Sequence, residues 1–132
     1  MVEVELSRII IDEEKQEQVI VLKEKGGGRT LPIVVGITEA ASIRIKLGGH
    51  ISPRPMTHDL MQGMLAALGA GIDKVVIDKL LDSTFYATIY LRTHDGLIKQ
   101  LDGRPSDGVA IAVRTRSPVF VEEAIFQRLA GI

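Results

Sequence analysis

The chain has 132 residues, 45% of them hydrophobic and none of them cysteine. That is one domain's length with a core of its own, but it excludes a disulfide framework and any thiolate-held zinc or iron–sulfur centre. Sixteen Lys plus Arg against seventeen Asp plus Glu leave a net charge of −1, so nucleic acid is not gripped by global charge and phosphate binding must be local.

In chain order, Val2, Val4 and Leu6 alternate with Glu3, Glu5 and Ser7, the period-2 pattern of a half-buried strand that Ile9 to Ile11 prolong. This start carries no basic region before its apolar residues, and no apolar run approaches the ~20 residues of a bilayer span. The expectation is a cytoplasmic protein with no membrane partner. "QVIVLKE" and "RTLPIVVG" are predicted strands joined by Gly26, Gly27 and Gly28, which precede a strand rather than a helix and so suit a hairpin better than a phosphate cradle.

Thr38 is the expected cap of a helix over "EAASIRIKL", stopped by Gly48 and Gly49. Thr57 is expected to cap a second helix, with Leu60, Met61, Met64, Leu65 and Leu68 forming a core stripe and Gly69 closing it. "KVVIDKL" and "TFYATIYLR" read as a hairpin about Asp82 and Ser83, and "THDG" turns the chain into "LIKQLD". Ser106 is expected to cap "DGVAIAVRT", Ser117-Pro118 breaks that helix, and "VFV" forms a short strand. "EEAIFQRLAG" closes the chain as a helix with Ile125 and Leu129 inward. Strands and helices come in blocks without βαβ alternation. The predicted class is therefore α+β: one domain over residues 1–132, with a mixed, largely antiparallel sheet and three to four helices.

Two stretches share a grammar. Arg54-Pro55-Met56-Thr57-His58-Asp59 and Arg104-Pro105-Ser106-Asp107 each place Arg-Pro before a hydroxyl and then an aspartate in a first helical turn. Proline fixes the entry of the chain, the hydroxyl can accept from an orphan N–H, and the carboxylate meets the positive helix end. These roles leave the arginines unexplained. A guanidinium beside a helix start suits phosphate, which makes Arg54, Arg104, Thr57 and Ser106 candidate phosphate-binding residues. If the two starts meet, His58 can give or take a proton there, and Asp59, Asp107 and Asp102 become possible ligands of a divalent cation. Arg44, Lys46, Arg92, Arg114 and Arg116 are scattered singly and read as solvated surface.

At these residues the chain resembles the bifunctional nuclease domain family. The resemblance is carried by "LPIVVGITEAASI", "RPMTHDLM", "VVIDKLLDSTFYATIYL" and "LDGRPSDGVAIAVRTRSPVFV", in family order from Leu31 to Val121. It implies an α+β domain that self-associates as a homodimer or higher oligomer and, for some relatives, a nuclease acting on RNA and DNA. Gly108 departs from the bulkier residue or alanine common in the family pattern, a change expected to loosen the helix start by up to ~1 kcal/mol.

The expected function is phosphodiester hydrolysis of RNA or DNA. Its catalytic residues would be His58, Asp59 and Asp107, with Arg54 and Arg104 on phosphate and Mg²⁺ or Mn²⁺ as possible cofactor, Asp102 being a candidate ligand. The alternative is a non-catalytic oligomeric module holding a nucleotide or an anionic metabolite in the same pocket, which the near-zero net charge favours. A purely structural oligomer is a third reading, since exposed strand edges invite self-pairing.

Overall fold

The structure, a computed structural model, describes residues 1–131. Strands β1 (Val2–Asp12), β2 (Glu17–Glu24) and β3 (Thr30–Val35) are followed by helices α1 (Ile37–Leu47) and α2 (Thr57–Ala67). Then come β4 (Gly71–Leu81), β5 (Thr84–Arg92), β6 (Ile98–Gly103), α3 (Pro105–Thr115), β7 (Val119–Val121) and α4 (Glu123–Leu129). The fold is α+β, as predicted. Among the described residues one seven-stranded sheet runs in the order β3-β2-β1-β7-β4-β5-β6, and there only the β4–β7 pair is parallel. Among the described residues, no helix is long and apolar enough to cross a membrane.

Both predicted hairpins form. Gly26 takes φ +73° between β2 and β3, and between β4 and β5 both Asp82 and Ser83 are left-handed, at φ 49° and 64°. Two consecutive positive φ values match the twist of the flanking strands, which is why so short a turn closes the pair. β4 is buried through Val75, Val76 and Ile77, the unbroken apolar run of a central strand rather than the alternation of a half-solvated one.

α3 is the hub of the helical layer. It packs against both α1 and α2 and lies over β4 and β5, while α1 covers β2. Val109, Ala110, Ile111 and Ala112 are all buried, and burying a side chain of Ile111's size contributes about 1.5–3 kcal/mol. Pro105 holds the first helical position, where a missing N–H costs nothing, and Arg116 ends the helix in the left-handed region at φ 57°.

Gly108 is where the structure reverses the expectation. A Cβ built there would meet Val75 Cγ1 at 2.7 Å, so the missing side chain lets α3 sit close to β4. Gly108→Ala should lower stability by about 1–3 kcal/mol through overpacking, although alanine is the better helix former. A shift of the urea midpoint to lower concentration checks this; a midpoint that rises contradicts it.

Three further expectations fail. Thr38, Thr57 and Ser106 are not caps: the N-cap residues are Gly36, Met56 and Arg104, and the hydroxyl residues lie one or two places inside the helices. The α2 stripe is not core. Leu60, Met64 and Leu68 are more than half exposed, and His58 is the buried residue of that helix. In α4, Ile125 and Phe126 are buried while Leu129 is exposed; the inward face is set by Phe126, over whose ring the Arg29 guanidinium sits at 4.6 Å.

Candidate active site

The starts of α1, α2 and α3 converge, and each helix carries an acid at its third position: Glu39, Asp59 and Asp107. A carboxylate is favoured there by the positive helix end, so the three acids are placed by local physics before any function is considered. Their partners then differ. Asp59 accepts from the amide of its own N-cap residue, Met56, at 3.0 Å and from Arg114 Nε at 2.8 Å. Those hydrogen bonds, the one from Arg114 first, hold its carboxyl below the ordinary carboxylate range.

Asp107 and Glu39 face each other across Arg104. Arg104 Nε donates to Asp107 Oδ2 at 2.8 Å, and Nη1 lies 2.8 Å from Glu39 Oε1. Burial alone would push the Asp107 carboxyl up. Hydrogen bonds from His58 and Arg104, with the guanidinium charge, outweigh burial and hold it below its ordinary value. Asp107 is therefore an ionised acceptor at neutral pH.

Its other oxygen, Oδ1, lies 3.0 Å from His58 Nε2, and His58 Nδ1 lies 2.8 Å from the Ser42 hydroxyl oxygen. In the neutral ring, an ionised Asp107 requires Nε2 to carry the proton and donate it, which leaves Nδ1 bare to accept from the Ser42 O–H. Ser42 and His58 are both buried, at 3% and 4% exposure. Ser42, His58, Asp107, Arg104 and Glu39 thus form one continuous polar chain joining the first turns of three helices. Ser42 also lies near Arg114, whose Nη2 donates to the Ser42 carbonyl at 3.4 Å.

A cavity of about 370 Å³ opens against this chain, lined by Ser42, His58, Asp102, Arg104 and Asp107 with apolar walls from Met61, Ile89 and Leu101. Thr57 lines it too, through its place at the start of α2. The two Arg-Pro junctions therefore meet, but their arginines do not. Arg104 is the N-cap residue of α3, whereas two extra residues, Met56 and Thr57, set Arg54 two places before the N-cap of α2. Arg54 is exposed, has no side-chain partner among the described residues and does not line the cavity. Asp59 does not line it either; both its oxygens face Arg114 and the α2 cap.

Two residues of the site lie outside the two Arg-Pro stretches. Arg114, taken as surface, is buried, pairs with Asp59 and donates to the Ala110 carbonyl at 3.0 Å. Ser42 carried no signal of its own; it lies in "EAASIRIKL", and only the packing of α1 on α3 brings it to His58. A divalent cation does not fit the donor set as arranged. Among the described residues no group of three or more His, Asp or Glu side chains is close enough to hold an ion, and Glu39 and Asp107 are turned to Arg104.

Residues 20–131 match the family described as "Bifunctional nuclease domain". Over its whole length the chain is 42% identical to an uncharacterised protein of Mycobacterium tuberculosis (strain ATCC 25618 / H37Rv), of which it covers 77%. It is 30% identical over 109 residues, 80% of this chain and 33% of the relative, to a protein of Oryza sativa subsp. japonica named bifunctional nuclease 1. A second protein of that plant, named bifunctional nuclease 2, is 30% identical over 122 residues, 87% of this chain and 36% of the relative. The chain belongs to the bifunctional nuclease domain family. It spans about a third of the length of the two rice proteins.

Proposed function

We propose that the chain hydrolyses phosphodiester bonds of RNA or DNA in the cavity beside Arg104. The observation that carries this is the Ser42–His58–Asp107 chain in the cavity wall, with a guanidinium at its end. Nη2 of Arg104 makes no hydrogen bond among the described residues, and the side chain is 67% exposed, so this one nitrogen is free for a phosphate oxygen. His58 has no nitrogen free to touch a substrate. It accepts through Ser42: a water attacking phosphorus gives its proton to Ser42 Oγ as the serine proton passes to His58 Nδ1, and Asp107 stabilises the imidazolium that forms. The proton then returns along the same path to the leaving alkoxide oxygen. Asp59 and Arg114 hold α2 in register beneath this chain. The family's nuclease-named relatives support the reaction class.

Protein purified to a single species should cleave single- or double-stranded substrate, with activity following the protein peak across two different columns. Activity that separates from the protein removes the proposal, and tight nucleotide binding without cleavage would favour the non-catalytic module.

We further propose that a second copy covers the apolar face of α2. Met64 and Leu68 are exposed, they border a groove of about 250 Å³ with Leu101 of β6, and β6 is an exposed sheet edge whose backbone can pair again. Leu68→Glu should shift the sedimenting species from dimer or higher oligomer to monomer. A wild-type protein that sediments as a monomer at all concentrations contradicts the proposal.

A further inference from the structure

We infer that the site is two-sided, so that consecutive units of a chain ligand occupy two cavities with the joining phosphodiester on Arg104. The inference rests on the phosphodiester reading above and adds its substrate class: an internal diester flanked by two units, rather than a terminal phosphate. A second cavity of about 400 Å³ lies across Arg104 from the first, and the two share Glu39 and Arg104 and no other residue. Each is in the ~300–1,000 Å³ range of small-ligand sites, so the arginine is a common wall between two compartments of nucleoside scale.

The second compartment is built to hold something polar. Ser106 is 5% exposed and its hydroxyl makes no hydrogen bond among the described residues, where no fully buried side-chain polar atom lacks a partner. That hydroxyl therefore opens to the cavity Ser106 lines. The starts of α1 and α3 reach the same cavity at Gly36 and Arg104, and neither helix has a side-chain cap on its first-turn amides. The half-buried ring of Phe85 and the half-buried Val35 supply a surface for a planar group.

Charge selects the diester. Glu39 and Asp107 already stand on the one guanidinium, so an incoming anion meets two carboxylates as well as the free Nη2. A monoanionic diester is repelled less than a dianionic terminal phosphate, and a second unit adds contacts that a mononucleotide lacks.

The test is a titration of the ¹⁵N-labelled protein with thymidylyl-thymidine whose bridging oxygen is replaced by a methylene, a non-hydrolysable monoanionic phosphonate, compared with thymidine 5′-monophosphate. The dinucleotide should bind at least roughly tenfold tighter and shift amides on both sides, at Gly36 and Phe85 as well as Met61 and Leu101. Phe85→Leu, which removes the ring offered to the second unit and keeps an apolar side chain, should remove most of that ratio. Dinucleotide shifts confined to one side, or a ratio unchanged in a folded Phe85→Leu, overturn the inference. If long polymer is still cleaved under those results, only the two-sided site fails. If neither compound binds and polymer is not cleaved, the phosphodiester reading fails with it.

Discussion

Asp59→Asn should lower the unfolding free energy by about 1–3 kcal/mol, because it leaves the buried Arg114 guanidinium without a counter-charge, while the 36% exposure of Asp59 lets solvent screen part of the pair. Asparagine keeps an oxygen for the Met56 amide, so the α2 cap is preserved and the loss is assigned to the ion pair. The Arg114 side chain is 1% exposed, and its other hydrogen bonds, to the Ala110 and Ser42 carbonyls, do not neutralise it. The pH dependence has a definite sign. The carboxyl of Asp59 sits below its unfolded value, so its stabilisation is complete above the unfolded pKa and is lost as pH falls through the folded one. Wild type should therefore lose stability on acidification more steeply than Asp59→Asn, the two converging at low pH. Urea denaturation at neutral and acidic pH measures both effects; parallel pH profiles would contradict the assignment.

His58→Gln should reduce the turnover of nucleic-acid cleavage by roughly 10²–10⁴-fold, the usual range for losing a positioned acid–base group. Glutamine can still meet Ser42 or Asp107 but cannot accept a proton at neutral pH. Since His58 does not reach the substrate, KM should change little while kcat falls. Steady-state cleavage kinetics with an unfolding curve on the same preparation separate the outcomes. An unchanged kcat in a folded variant removes His58 from the chemistry.

Much of the architecture was legible because it rests on local rules. The alternation at Val2, Val4 and Leu6, the turn at Asp82-Ser83 and the stop at Ser117-Pro118 each depend on neighbouring residues alone. The condition on which the site reading of "RPMTHD" and "RPSD" depends, that the two junctions meet, holds: His58 and Asp107 join them directly. The offset of the arginines was legible too and was overlooked: Arg54 precedes its N3 acid by five places and Arg104 by three, so the same acid alignment cannot bring both guanidiniums to one point.

What stayed hidden depends on distant partners. Ser42 and Arg114 look like ordinary helix residues until α1 and α2 are both packed on α3. The exposure of Met64 and Leu68 was hidden for a related reason. A 3.6-residue apolar period says that a helix has an apolar face, but not whether this chain or another one covers it.

The central claim is that Asp107 and Ser42 hold His58 with its ring proton on Nε2 and a bare Nδ1 facing the serine. Two-bond ¹⁵N–¹H correlation spectra of imidazole-labelled protein read that arrangement directly near neutral pH. The expected result is a single neutral Nε2–H tautomer that becomes mixed in Asp107→Asn. A dominant Nδ1–H tautomer in the wild type, or a ring that averages freely between the two, would contradict the proton path proposed for this family member.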